Sequence, residues 1–370
     1  MTQSRSAFSA ACGSKRRVYG RRRRRAALGA LLVLFLAHSA FAGASHAQNH
    51  KLGAHNTSRI LNRDGTYLSR VSWPQQGQAA LVLGSERPAA SPHQRPVPIA
   101  SVAKVMTAFL TLTQHPLTGP QDGFTVTVTS AEARAEAEDA AQDQSVAAVA
   151  PGERLTERQL LEALLIPSGN NIALMLAARL AGSETRFVAK MNATARGLGM
   201  DHTTYTDPSG WDPATTSTAA DQLRLLRQAM RLAAFRQIVS MASVTLPVAG
   251  TLNNTNPLIS EGYAGKTGSD SAAGACLAFF TQVTVGGHRL AAAGVVLGQW
   301  ERNDSAVVLA AAGQAAEQLV GSVAPVSGLR RQAPPDAGNA STPGPGGQDG
   351  QPLARPGARR LRIRLSGARR

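Results

Sequence analysis

Strand-like runs stand at both ends of one core, with helix-forming sequence between them. Ala79-Ala-Leu-Val-Leu83 reads as a short buried strand. Tyr263–Lys266, Ala275–Thr284 and Arg289–Leu297 are strand-like too, and Gly286-Gly287 supplies a hairpin turn between the last two. If these runs share a sheet, that sheet holds both termini of the domain. The chain between them is then a helical insertion, and the architecture is α+β. Thr156 opens a T-x-x-Q capping box with Gln159, predicting a helix from about Glu157 to Leu165. Pro167-Ser168-Gly169-Asn170 breaks it. A second helix follows from Asn171 to Leu180, and a third from Glu184 to Leu198 ends at Gly199. Thr218 and Asp221 cap another, running through about Leu232. Phe124–Thr129 alternates as a strand does. Residues 131–147 fit an exposed helix or a mobile loop equally. Ser305–Val320 has helical spacing and is expected to pack back on the sheet.

The net charge of +16 suggests nucleic acid until it is located. Residues 1–25 carry nine Lys/Arg and no acid; residues 330–370 carry nine Arg against Asp336 and Asp349. Residues 26–329 are therefore neutral overall, and nothing in the body calls for phosphate binding. The start reads as an export leader over 1–47. Arg21–Arg25 precede the apolar Ala26–Ala37, and Ala40-Phe41-Ala42 and Ser45-His46-Ala47 are candidate cleavage sites. Arg16-Arg17 is a weak twin-arginine signal. The apolar run is shorter than the ~20 residues of a membrane span, so an uncleaved anchor is the minor reading. Residues 48–75 read as a linker and 76–322 as the folded domain. Residues 323–370, rich in Pro, Gly and Arg, are expected to be disordered. With Cys12 in the leader, Cys276 remains as a small buried hydrophobe.

Three short motifs carry chemistry. Ser101 stands before an apolar run, Val102 to Leu112, with Lys104 three residues on. On a helix that pair shares a face, about 4.5 Å apart along the axis. Free N–H groups at the helix start could hold an oxyanion. Taken alone, the pair is as well explained by a cap serine and a surface lysine. Ser168-Gly169-Asn170 alone is a turn between helices. Lys266-Thr267-Gly268 alone is a strand end with a turn glycine, and a phosphate loop is excluded because Ser260 stands where it needs glycine. There is no G-x-S-x-G in the mature chain, and no histidine pair has metal-ligand spacing on a helix.

In this order the three motifs are those of the penicillin-recognising serine enzymes. The chain resembles the D-alanyl-D-alanine carboxypeptidase family of low-molecular-weight penicillin-binding proteins. The likeness covers about residues 75–320 and extends to Pro98–Ala108, Phe187–Asn192, Leu198–Met200, Asp207–Gly210, Ser217–Asp221 and Gly265–Gly268. It implies a β-lactamase/transpeptidase-like fold: an antiparallel sheet flanked by helices, with an all-helical lobe inserted. Ser101 would be the acyl-ester nucleophile, Lys104 its general base and Ser168 the proton relay. Asn170 would hold the substrate amide. Lys266, Thr267 and Gly268 would bind the terminal carboxylate, and the backbone N–H groups of Ser101 and Ser269 would form the oxyanion hole. The implied partners are the peptidoglycan pentapeptide and β-lactam antibiotics. No cofactor, metal or nucleic acid is expected, membrane association comes only through the leader or the basic tail, and the protein is expected to be an exported monomer.

Some features depart from the family pattern. Asp270 follows Lys-Thr-Gly-Ser where Thr is frequent, the segment before Ser101 is proline-broken, and neither a β-rich stalk nor an amphipathic anchor is expected after residue 320. The rivals are an endopeptidase on cross-links, a β-lactamase (which would need an E-x-x-L-N base segment between Asn170 and Lys266) and a non-catalytic wall-binding protein.

Overall fold

The computed structural model describes residues 68, 71–119, 121–285, 287–300 and 308–323. The leader (1–47), most of the linker, Gly286 of the hairpin turn, Ser305 at the expected start of the last helix, and residues 324–370 of the tail lie outside the described residues.

In chain order the elements are β1 (Gln78–Leu83), β2 (Ala89–Ala90), β3 (Val97–Pro98), a 3-10 turn (Ala100–Ala103), α1 (Lys104–Gln114), β4 (Thr125–Thr127), α2 (Ser130–Ala140), β5 (Arg154–Thr156), α3 (Glu157–Leu165), α4 (Asn170–Ala181), α5 (Glu184–Gly197), β6 (Thr216–Ser217), α6 (Ala219–Ala229), α7 (Ala233–Val239), β7 (Ser243–Leu246), β8 (Gly250–Asn253), β9 (Ala264–Asp270), β10 (Gly274–Val285), β11 (His288–Gln299) and α8 (Val308–Val323). The main sheet is antiparallel with order β2-β1-β11-β10-β9. The first strand thus pairs with the last, Gln78 opposite Leu297 through Leu83 opposite Ala292, and the α+β class with its helical insertion stands.

Both faces of the sheet are buried, which is why β1 reads as one unbroken apolar run. Alternation divides its residues between two cores. Leu81, Leu83, Leu277, Phe279 and Val296 pack with Ala312, Ala316 and Leu319 of α8. Ala80, Val82, Cys276, Ala278 and Val295 face the helical lobe, whose core includes Met106, Leu160, Ile172, Phe187 and Phe235.

The capping box at Thr156 and Gln159 forms in both directions, and α3 spans the expected residues. The undecided stretch 131–147 begins as a helix. Thr129 and Glu132 make a second capping box, and α2 ends in a Schellman turn: Asp143 has φ 59°, Asp143 N–H bonds Ala140 O and Gln144 N–H bonds Asp139 O. The helix opened by Thr218 stops at Ala229 rather than Leu232; Leu232 instead precedes the separate α7. The β7–β8 hairpin was not foreseen. The strand expected to end at Lys266 runs on to Asp270, so Lys266-Thr267-Gly268 lies within β9, at the open edge of the sheet.

Candidate active site

Ser101 lies in the 3-10 turn that leads into α1, not in the first α-helical turn. The turn is tight: Val102 N–H bonds Ile99 O at 3.2 Å, and Ala100 has φ 44°. A non-glycine residue in that region costs energy that surrounding contacts must offset. Gly210 supplies one such contact. It has φ 80°, and a Cβ there would stand 1.9 Å from Ala100 O, so backbone packs directly on backbone behind the serine.

Lys104 is fully buried. Its Nζ lies 2.7 Å from Ser101 Oγ, 2.6 Å from Asn170 Oδ1 and 3.0 Å from Ser209 O. Burial holds its pKa well below the ordinary lysine value, and Lys266 lowers it further, while Asp207 acts in the opposite direction. A neutral amine has two N–H bonds and a lone pair. Here two fixed acceptors, Asn170 Oδ1 and Ser209 O, can take the N–H bonds and leave the lone pair aimed at Ser101 Oγ.

Ser168 and Asn170 come from the break between α3 and α4. Ser168 has φ 71°, and its Oγ is buried with no hydrogen-bond partner among the described residues. Asn170 opens α4, with its N–H on Ser145 O at 2.7 Å and its Nδ2 on Gln144 Oε1 at 2.7 Å.

Edge strand β9 brings the third motif against the first. A Cβ on Gly268 would lie 2.9 Å from Ile99 O, Ser101 N and Val102 N. Lys266 is 1% exposed; its Nζ donates to Thr267 O, and burial pulls its pKa down to about 7. Thr267 Oγ1 shares a hydrogen bond of 2.5 Å with Thr255 Oγ1, and Thr255 N–H bonds Ile166 O, tying β9 to the end of α3. Ser269 is exposed at the outer end of β9. Asp270 Oδ1 accepts from Ala272 N and Ala273 N at 2.7 and 2.6 Å, closing the turn into β10. Cys276 is buried, and burial pushes its thiol up to about 12.

The structure therefore gathers Ser101, Lys104, Ser168, Asn170, Lys266, Thr267 and Gly268 where the lobe meets the sheet. Gln144 and Thr255 were not singled out from the sequence, and Asp207 and Ser209 entered only within the Asp207–Gly210 segment of the family likeness, with no role given to either. Asp207 had a readable signal in Asp-Pro-Ser-Gly, a run of turn formers. Its carboxylate accepts from the N–H groups of Ser209, Gly210 and Trp211 and from the hydroxyls of Ser209 and Thr215. No group of His, Cys, Asp and Glu that could hold a metal is present among the described residues.

A sheet and helical lobe meeting at a Ser–Lys pair, with Ser-x-Asn and Lys-Thr-Gly around it, define a penicillin-recognising serine enzyme. The D-alanyl-D-alanine carboxypeptidase family profile matches residues 89–300, and the chain belongs to that family. It is similar to a D-alanyl-D-alanine carboxypeptidase of Mycobacterium tuberculosis, 38% identical over 153 residues, covering 40% of this chain and 48% of the relative. It is also similar to a D-alanyl-D-alanine endopeptidase of Pseudomonas aeruginosa, 31% identical over 196 residues, covering 50% and 60%. The chain spans about half the length of the relatives it matches in sequence. Among solved structures, the Streptomyces K15 DD-transpeptidase superposes with a TM-score of 0.58 at 25% identity, over 68% of this chain and 99% of that one. A D-alanyl-D-alanine carboxypeptidase of M. tuberculosis gives 0.53 at 30%, over 66% and 92%.

Proposed function

We propose that the protein is a serine-type D-Ala-D-Ala carboxypeptidase that trims peptidoglycan stem pentapeptides through an acyl-enzyme on Ser101, and that penicillins trap it. The observation that carries this reading is the buried Lys104, bonded to Ser101 Oγ, with its pKa lowered well below the ordinary lysine value by burial and then by Lys266. Lys104 Nζ takes the Ser101 proton as Oγ adds to the carbonyl carbon of the penultimate D-alanine. Backbone N–H groups of Ser101 and Ser269 stabilise the oxyanion, a contribution of roughly 3–4 kcal/mol per donor in other acyl transfers. Ser168, whose Oγ has no partner among the described residues, passes the proton to the leaving D-alanine nitrogen. The ammonium of Lys266 and the hydroxyl of Thr267 hold the terminal carboxylate at the edge of β9. The second hydrogen of Asn170 Nδ2 remains for the substrate amide carbonyl. Water then hydrolyses the ester.

The enzyme acts outside the cytoplasm, delivered by the leader at residues 1–47. Among the described residues no helix is long and apolar enough to cross a membrane. The second reading, an endopeptidase on cross-links, has the P. aeruginosa relative in its favour. Incubation with pentapeptide and with cross-linked dimer muropeptides separates the two. Free D-alanine from pentapeptide supports the carboxypeptidase; dimer cleavage without it overturns that assignment. Covalent labelling by a fluorescent penicillin, lost in Ser101→Ala, tests the acyl-enzyme, and an unlabelled wild type points to a wall-binding protein.

A further inference from the structure

Resting on the acyl-enzyme reading above, we propose that Gln144 and Asp139 are positioning residues of this site: they set which way the Asn170 amide points, and so leave the Lys104 lone pair free for Ser101.

The argument starts from the two ends of an amide. Asn170 can offer Lys104 either an oxygen or an NH2 group, and the two are nearly the same shape. Only the oxygen suits a base. An NH2 group turned toward Nζ would donate into the lone pair that Ser101 needs. The choice is made by what the other end of the amide meets. Asn170 Nδ2 lies 2.7 Å from Gln144 Oε1. Gln144 is itself an amide and settles nothing alone. Its Nε2, however, donates to Asp139 Oδ1 at 3.0 Å, and an ionised carboxylate only accepts. One acceptor-only group therefore orders the chain: Asp139 fixes Gln144, Gln144 fixes Asn170, and Asn170 shows Lys104 its oxygen at 2.6 Å. Hydrogen bonds linked this way in a partly buried site strengthen one another.

The backbone holds Gln144 in place for this. The Schellman turn puts Gln144 N–H on Asp139 O at 3.1 Å, so backbone and side chain of Gln144 both return to Asp139. The next residues are fastened to α4: Ser145 O accepts Asn170 N–H at 2.7 Å, and the Asn171 side chain bonds both Ala147 N and Ala147 O. Beside Asp139, α4 contributes Leu174, Met175, Ala178 and Asn171, whose amide is taken up by Ala147 N and Ala147 O. The charges nearby are Glu138, Glu136 and Glu132 of its own helix. Around Lys104 they are Lys266 and Asp207.

Two readouts test the proposal: the rate of Ser101 acylation by a fluorescent penicillin across the neutral and alkaline range, and the titration of Lys104 by NMR of 13C-labelled lysine. Gln144→Met keeps the length and removes the amide. It should slow acylation on the order of ten-fold, a part of what a general base contributes, and lower the Lys104 titration midpoint because Asn170 NH2 can now turn inward. Gln144→Glu sets two carboxylates against each other and should be slowed most on the alkaline side. Combining it with Asp139→Asn supplies the new carboxylate with a donor again and should remove that loss, which a packing role would not do. Gln144→Met with wild-type acylation overturns the proposal, as does slowed acylation with an unmoved Lys104 titration. So does a folded double variant no faster than Gln144→Glu. A wild type that no penicillin labels overturns the functional reading instead, and the Lys104 titration still decides the orientation.

Discussion

The α-carbon of Gly268 rests against the backbone of Ser101, so close that a Cβ there would come within 2.9 Å of Ser101 N. On the far side of the same turn, Gly210 meets Ala100 O in the same manner. The serine is thus clamped between two glycine backbones, one from the edge of the sheet and one from the lobe. Side chains can repack when disturbed, but main-chain atoms in a close-packed interior yield little. This contact aligns the lysine and threonine of β9 with the nucleophile.

Substituting the two glycines should separate placement from stability. Gly268 does not have a left-handed backbone, so Gly268→Ala suffers only the close contact, an overpacking cost of about 1–3 kcal/mol. Moving β9 away from Ser101 should cut penicillin acylation at least on the order of ten-fold, because misplacement of about 1 Å is that costly to reacting groups. Gly210→Ala adds the penalty of φ 80° to a contact of 1.9 Å and should lose at least about 2 kcal/mol. Thermal unfolding and labelling rates measured together would show the difference. Equal labelling by Gly268→Ala and wild type would show that the contact does not govern the site.

Ser168 makes the converse case. Its Oγ is buried without a partner among the described residues and its φ is 71°, two features that oppose stability and suit a group waiting for a reacting proton. Ser168→Ala should retain or slightly raise the unfolding temperature while acylation falls. Ser168→Gly should be the more stable of the two, by about 1 kcal/mol from the relieved backbone. A marked loss of stability in Ser168→Ala would assign the hydroxyl to the fold instead.

Much of this was readable from residue order. Thr156–Gln159 announced α3, and the apolar run at Ala79–Leu83 announced a strand covered on both faces. Ser101, Lys104, Ser168, Asn170 and Lys266 were legible only because their three short motifs occur together in the order of a family the chain resembles. The supporting groups were not. Ser209 acts through its carbonyl, which every residue carries. Gln144 and Asp139 act through side chains whose partners are set by a helix end that the Ala/Glu/Asp-rich sequence left undecided. The β7–β8 hairpin was missed because its residues alternate over only four positions on each side.

Asp207 offers a test of the electrostatics around the base. Its carboxylate gathers three backbone N–H groups and two hydroxyls, and so holds the loop that presents Ser209 O to Lys104. It also favours protonated Lys104. Asp207→Asn removes that charge and turns some donors against an NH2 group. The Lys104 titration should move to lower pH, and stability should fall by about 1–3 kcal/mol from donors left unsatisfied. NMR titration and chemical denaturation would measure the two effects; an unmoved titration would mean Asp207 is too well screened to influence the base.

Lys266 makes a prediction about pH with opposite consequences for stability and for binding. Its folded pKa, about 7, lies below its ordinary value of 10.5. Between those values the unfolded chain holds more protons than the native one, so stability should rise as pH increases from about 7 toward 10.5. Lys266→Met should flatten that rise. Binding runs the other way, because a carboxylate needs the ammonium. Acylation by a penicillin at subsaturating concentration should therefore weaken as pH climbs above about 7, and Lys266→Arg, charged throughout, should carry activity further into the alkaline range. Lys266 also lowers the Lys104 pKa, so Lys266→Met should return Lys104 toward its ordinary value and shift the base-dependent limb of the profile upward. If Lys266→Met and wild type share both the stability slope and that limb, then Lys266 is neither the carboxylate cation nor the charge that tunes Lys104.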